Sequence, residues 1–194
     1  MDRWPSRVLF ALFSLVLIGR VWLFEVVEVA NDSMSPALMP GELVWVWRGP
    51  LANTETGSVV LYEDGGVRSL KRVVAGPGQT VEVSDGRLFV DGVTARQRTE
   101  RVQVFRDCNG REVTGTVERW GAVEGVIRPA GEAFAEKIPL EHIYILGDHR
   151  AESSDSRQWG PLPESAVRGV AGRVLWSSGD CDSIRWFRIG QRVR

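Results

Sequence analysis

From about residue 40 onward the chain keeps returning to one pattern: short runs of β-branched and aromatic residues, cut by glycine, with no long stretch of helical apolar spacing. Such runs pack well on a pleated surface, so the pattern commits the chain to a mainly β fold. Leu43-Val44-Trp45-Val46-Trp47, Ser58 to Tyr62, Val67 to Val74 and Ile143 to Leu146 are the clearest strands. Val81 to Gly92 reads as a hairpin turning at Asp85-Gly86, a pair that tolerates positive φ, and Ala75-Gly76-Pro77-Gly78 is the loop ahead of it. Residues 95–135 carry two more strand-like runs, Val102 to Phe105 and Val113 to Val117. They read as an inserted β subregion without chemistry of its own.

The N-terminal part obeys a different rule. Val8 to Phe24 reads VLFALFSLVLIGRVWLF, interrupted only by Ser14, Gly19 and Arg20. That is the lower edge of what spans a bilayer as a helix. Arg20 can extend to the headgroups and Trp22 suits the interface. A cleaved secretory signal is the competing reading, with Arg3 and Arg7 as its basic start. However, no A-x-A-like site follows, and Val21 to Phe24, Glu25 and Glu28 argue for retention. The expected organisation is a tail over 1–7, a transmembrane anchor over 8–24 and a catalytic domain over 25–194. Arg3 and Arg7 would hold the tail in the cytoplasm, which puts the domain on the outer face of a bacterial cytoplasmic membrane.

With 194 residues, 43% of them hydrophobic, the chain can bury one good core. A net charge of −1 with no block of like charge excludes a nucleic-acid partner. Cys108 and Cys181 are too few for a disulfide framework and lack metal-ligand spacing, while a single bridge between them stays open. His142 and His149 are not spaced as ligands on one helical face, so no metal is expected.

Two lysines stand against twenty-two arginines, and one of them is placed for chemistry. Lys71 lies in Leu70-Lys71-Arg72-Val73-Val74, downstream of Ser33-Met34-Ser35-Pro36, which closely follows the apolar stretch. A serine hydroxyl needs a base to become a nucleophile, and lysine serves only when desolvation lowers its pKa from about 10.4. In an extended segment Val67, Ser69, Lys71 and Val73 share one face, which sets the amine among apolar neighbours if that face is buried. Taken alone, Lys71 reads more plainly as a solvated strand lysine. Behind an anchor and a serine it reads as the base of a membrane-anchored serine protease.

These segments resemble bacterial type I signal peptidase. Its nucleophile motif appears as Ser33-Met34-Ser35-Pro36-Ala37-Leu38, and its lysine motif as Lys71-Arg72-Val73 with a following Pro77-Gly78 turn. A third block appears as Gly147-Asp148-His149-Arg150 with Ser153-Ser154-Asp155-Ser156-Arg157 and Trp159-Gly160. The resemblance implies the β-rich fold shared with self-cleaving repressors, and no cofactor. It implies that Ser33, not Ser35, is the nucleophile, that Lys71 is the general base and that Ser153 orients the lysine amine. It also implies substrates that are exported preproteins with small residues at the first and third positions before the cut. Met34 and the Val59 to Leu61 segment, Val59 and Leu61 above all, are the candidate pocket walls.

Ala37, Ser58, Gln79 and His149 depart from the family pattern without touching nucleophile or base. Asn31 stands where many members place a hydroxyl donor to the oxyanion; its amide could serve, or it is a turn residue. His149 opens a Ser-His-Asp alternative. Asp148, Arg150, Asp155 and Arg157 look like a charge-paired scaffold under the site. Leu43, Trp45 and Trp47 alternate onto one face, as core or as a surface dipping into the lipid bilayer. The rival functions are a dedicated processing protease for a pilin or conjugation precursor, and a non-catalytic anchored binding module.

Overall fold

The computed structural model describes residues 23–49, 54–84, 87–94, 105–106, 112–113, 135–150, 153–179 and 184–193. Strands follow one another as β1 (Phe24–Glu28), β2 (Glu42–Trp47), β3 (Val59–Asp64), β4 (Val67–Ala75), β5 (Thr80–Ser84), β6 (Arg87–Val90), β7 (Val93–Thr94), β8 (Phe105–Arg106), β9 (Glu112–Val113), β10 (Ala135–Lys137), β11 (His142–Leu146), β12 (Leu162–Pro163) and β13 (Val167–Ser177). The α-helix α1, Ser156–Trp159, is one turn long and is capped by the Asp155 carboxylate. The mainly β expectation holds.

Seven strands form one sheet in the order β1-β2-β13-β3-β4-β11-β12, every pairing antiparallel. A second sheet runs β10-β5-β6-β7, and β8 pairs with β9. The strands read from sequence fall in these sheets. The Asp85-Gly86 turn, Cys108, Cys181 and most of 95–135 lie outside the described residues.

Alternation explains the core. On β3, Val59 and Leu61 join Met34, Leu38, Val44 and Val46 in one cluster. Val60 and Tyr62 point the other way, to Val73, Ile143 and Ile145. Both faces of β3 are therefore covered, as expected of a strand whose apolar run is continuous rather than alternating. A third cluster, built on Val74, Val81, Leu88 and Ile138, joins the two larger sheets. On β2 the fully buried residues are Glu42, Val44 and Val46. Leu43, Trp45 and Trp47 are half-buried on the opposite face, where the Phe24 ring lies 5.3 Å from Trp45 and 4.7 Å from Trp47.

Phe24, read as the end of the apolar run, instead opens β1 and pairs with Trp47. Residues 8–22 of that run lie outside the described residues, and among those described no helix is long and apolar enough to cross a membrane.

The longest strand, β13, was not read from the sequence. Val167-Arg168-Gly169-Val170-Ala171-Gly172-Arg173 looks like punctuation, yet both glycines are packing residues. A side chain on Gly169 would overlap the Trp47 carbonyl, and one on Gly172 would overlap the Trp45 indole. Glycine inside a strand here marks close approach of a neighbour, not the end of the element.

Candidate active site

The segment after β1 is a turn tied by its own backbone: Ser35 N donates to Asp32 O at 2.8 Å and Leu38 N to Met34 O at 2.9 Å. Met34 and Leu38 are sunk into the core. With those two side chains anchored, Ser33 faces β4. The register of β3 and β4 sets Lys71 opposite Val60 and Arg72 opposite Val59, so consecutive cationic side chains leave β4 on opposite faces.

Lys71 is 3% exposed, and its Nζ is 2.7 Å from Ser33 Oγ. Burial pushes the amine below its ordinary pKa, against the pull of the Asp155 and Asp148 carboxylates. A lysine so placed is poised to accept a proton, which a solvated one is not. Ser35, by contrast, directs its hydroxyl to the Leu38 carbonyl at 3.5 Å.

The remaining sequence candidates divide. Ser153 is buried beside Gly147 and Asp155, and the side-chain oxygens within hydrogen-bond distance of the lysine amine are those of Ser33 and Ser69 rather than its own. The structure instead brings Ser69 Oγ within 3.4 Å of Nζ. Asn31 does reach Ser33, as an acceptor: its Oδ1 takes the Ser33 N–H at 3.2 Å. The ring of His149 faces Asp32, with Nδ1 3.5 Å from Oδ2, while its backbone N–H donates to the Ser33 carbonyl at 3.0 Å. That ring is turned to a carboxylate rather than to the serine hydroxyl.

The supposed charge scaffold is two separate clamps. Arg72 grips Asp148 through two bonds, Nε to Oδ1 at 2.8 Å and Nη2 to Oδ2 at 2.6 Å, with both side chains essentially sealed from solvent. Arg72 Nη1 also donates to Gly57 O at 2.7 Å. Arg157 grips Asp155 in the same way and donates to the carbonyl of Arg150. Burial works against the charge on Asp155, yet the Arg157 guanidinium and the Gly147 N–H outweigh it and hold the carboxyl below its usual range. The two clamped carboxylates both pull on the Lys71 amine.

Next to Ser33 opens a small cleft lined by Val29, Asn31, Met34, Leu61, Ser69 and Leu70 among others. Met34 and Leu61 thus wall it. Val59 does not: it is fully buried in the core, on the strand position that faces Arg72. The sequence reading also missed a third clamp. Glu42 at the start of β2 accepts from Arg188 Nε at 2.7 Å and Nη2 at 2.9 Å, from the Ser177 hydroxyl at 2.8 Å and from Met39 N at 3.0 Å. Arg188 reaches on to the carbonyl of Ala37 at 2.8 Å, fastening the far end of the turn that carries Ser33.

The family model "Signal peptidase, peptidase S26" matches residues 2–176. The chain belongs to this family. Its activity is accordingly that of a serine peptidase of the signal-peptidase type. Among similar proteins, a signal peptidase I of Pseudomonas fluorescens is 28% identical over 89% of this chain and 72% of that protein. One of Bacillus licheniformis is 25% identical over 89% of this chain and 87% of that protein. A solved signal peptidase I from Enterococcus faecalis V583 matches at 22% identity and a TM-score of 0.41, over 60% of this chain and 94% of that one, a likeness too partial to bear on the site.

Proposed function

We propose that this chain removes signal peptides from exported preproteins through an acyl-enzyme, with Ser33 as nucleophile and Lys71 as general base. The observation that carries the reading is the 2.7 Å contact between a buried lysine amine and a serine hydroxyl at the edge of an open cleft. In the first half-reaction Nζ takes the Ser33 proton as Oγ bonds to the scissile carbonyl carbon. The ammonium then gives that proton to the departing amine as the C–N bond breaks. In the second, water attacks the ester, its proton passes to Nζ, and Ser33 Oγ recovers it as the new carboxyl end leaves. Arginine could not do this, because its guanidinium does not release a proton in the working range.

The tetrahedral oxyanion forms beside the Ser33 N–H, which Asn31 Oδ1 occupies in the free enzyme. Turning the Asn31 side chain aside frees that donor and brings its own amide N–H to the same oxygen. Met34 and Leu61 set the depth of the cleft and select small side chains before the cut. The apolar run ahead of β1 anchors the domain at the outer face of the membrane, where the junction between signal peptide and mature chain emerges from the bilayer.

The test is cleavage of a preprotein by the full chain in detergent or lipid. Ser33→Ala and Lys71→Met should each lose activity by orders of magnitude while staying folded, since nucleophile and base act as a unit. Undiminished cleavage by Lys71→Met would remove the lysine mechanism.

A further inference from the structure

The resemblance assigns the lysine-orienting role to Ser153, and the geometry does not. We infer that Ser69 is the positioning residue for the Lys71 amine, its hydroxyl accepting the N–H that aims the nitrogen lone pair at Ser33. This rests on the Ser33–Lys71 reading and refines it.

The need for such a group follows from the amine itself. A neutral lysine nitrogen carries one lone pair and two N–H bonds on a flexible four-carbon stem, so it can point its lone pair anywhere unless an N–H is held. Among the described residues, the side-chain oxygens that Nζ meets are Ser33 Oγ at 2.7 Å and Ser69 Oγ at 3.4 Å. The first must be the proton donor in catalysis, which leaves the second as the acceptor. Ser153 Oγ, more deeply buried than Ser69, lies on the Asp155 side and is not among them.

The strand makes the placement robust. Ser69 lies two residues before Lys71 on β4, so strand alternation alone puts both side chains on one face. Across the ladder Ser69 stands opposite Tyr62, which is buried and backed by the Trp159 ring at 6.1 Å. Burial pushes the Tyr62 phenol above its ordinary value, with the Ser69 hydroxyl pulling the other way. Ser69 also lines the cleft beside Ser33. A bound peptide therefore covers it, and a long 3.4 Å contact is of the kind that tightens when water is excluded.

The charged and titratable groups around the amine are otherwise committed. Asp148 is held by Arg72, Asp155 by Arg157, the His149 ring is turned to Asp32, and Tyr62 faces Ser69. None of them substitutes for the Ser69 acceptor.

The experiment is the pH dependence of preprotein cleavage by the full-length chain carrying Ser69→Ala, Ser69→Thr or Ser153→Ala. Losing an acceptor from the ammonium makes the ammonium easier to deprotonate. Ser69→Ala should therefore move the acid limb of the kcat profile to lower pH. It should also lower kcat by about 10- to 100-fold, up to the bottom of the range for general-base assistance, with KM changed far less. Ser69→Thr, which keeps the hydroxyl, should restore both. Ser153→Ala should move the limb less than Ser69→Ala. An unmoved limb with wild-type kcat in Ser69→Ala would overturn the inference, as would a larger shift in Ser153→Ala. Failure of the underlying dyad would show differently, as full activity in Lys71→Met.

Discussion

The Arg72–Asp148 clamp and the Arg188–Glu42 clamp use the same chemistry on the two sides of the catalytic pair, yet they are not equivalent. Each is a bidentate guanidinium–carboxylate contact shut away from water. Asp148 takes its side-chain hydrogen bonds from Arg72 alone among the described residues. Glu42 also takes the Ser177 hydroxyl and the Met39 N–H. The first clamp adjoins Lys71 in sequence and fixes the strand that carries it. The second arrives from 146 residues away and fixes the exit of the nucleophile turn. A buried charge with one partner fails abruptly when that partner is lost, whereas one with several donors degrades in steps.

The largest expected effect breaks that comparison directly. Arg72→Ala leaves Asp148 buried without a side-chain hydrogen-bond donor among the described residues, and should destabilise the domain by about 3 to 5 kcal/mol in denaturant titration. Arg188→Ala leaves Glu42 with two donors and should cost less, about 1.5 to 3 kcal/mol. Equal losses would mean that the extra donors to Glu42 contribute nothing.

Lys71→Met sharpens the contrast between a clamp kept for stability and a lysine kept for chemistry. The amine's folded-state pKa lies below its ordinary 10.5. The unfolded chain therefore binds the proton more readily, and the wild type carries a penalty that is fully present below the folded pKa and fades as pH rises through 10.5. At pH 7 Lys71→Met should be inactive yet more stable than wild type, with the gain vanishing near pH 11. A gain independent of pH would trace it to packing instead. The smallest effect is that of His149→Ala. With its ring at Asp32, it should change kcat/KM by no more than about twofold, or ~0.5 kcal/mol. A loss as large as that of Lys71→Met would reinstate the histidine.

What was legible in the sequence follows the same division. Ser33 and Lys71 could be read because each sits in a local motif whose residue types suit one reaction, and β2, β3, β4 and β11 because their apolar runs are dense. Strand β13 escaped because Gly169 and Gly172, placed to admit Trp47 and Trp45, look like turn residues when the tryptophans are not in view. Glu42 and Arg188 escaped for want of any local signal, and Arg188 falls beyond the residues that match the family. Ser69 was half visible: its face was read correctly, its partner was not. Ser153 shows the reverse, a role carried over by motif position for which the lysine amine makes no contact among the described residues.

The opposite-facing Lys71 and Arg72 have a consequence for how the active site is encoded. In a ladder the face a residue occupies is a matter of parity, and a slip of one position exchanges the faces. Such a slip along β3 would present to Ser33 a guanidinium that cannot act as a base, and would leave Asp148 facing the wrong side of β4. The Arg72 fork thus works as a check digit. Only the observed pairing lets the fork close on Asp148, and that same pairing delivers the amine to the serine.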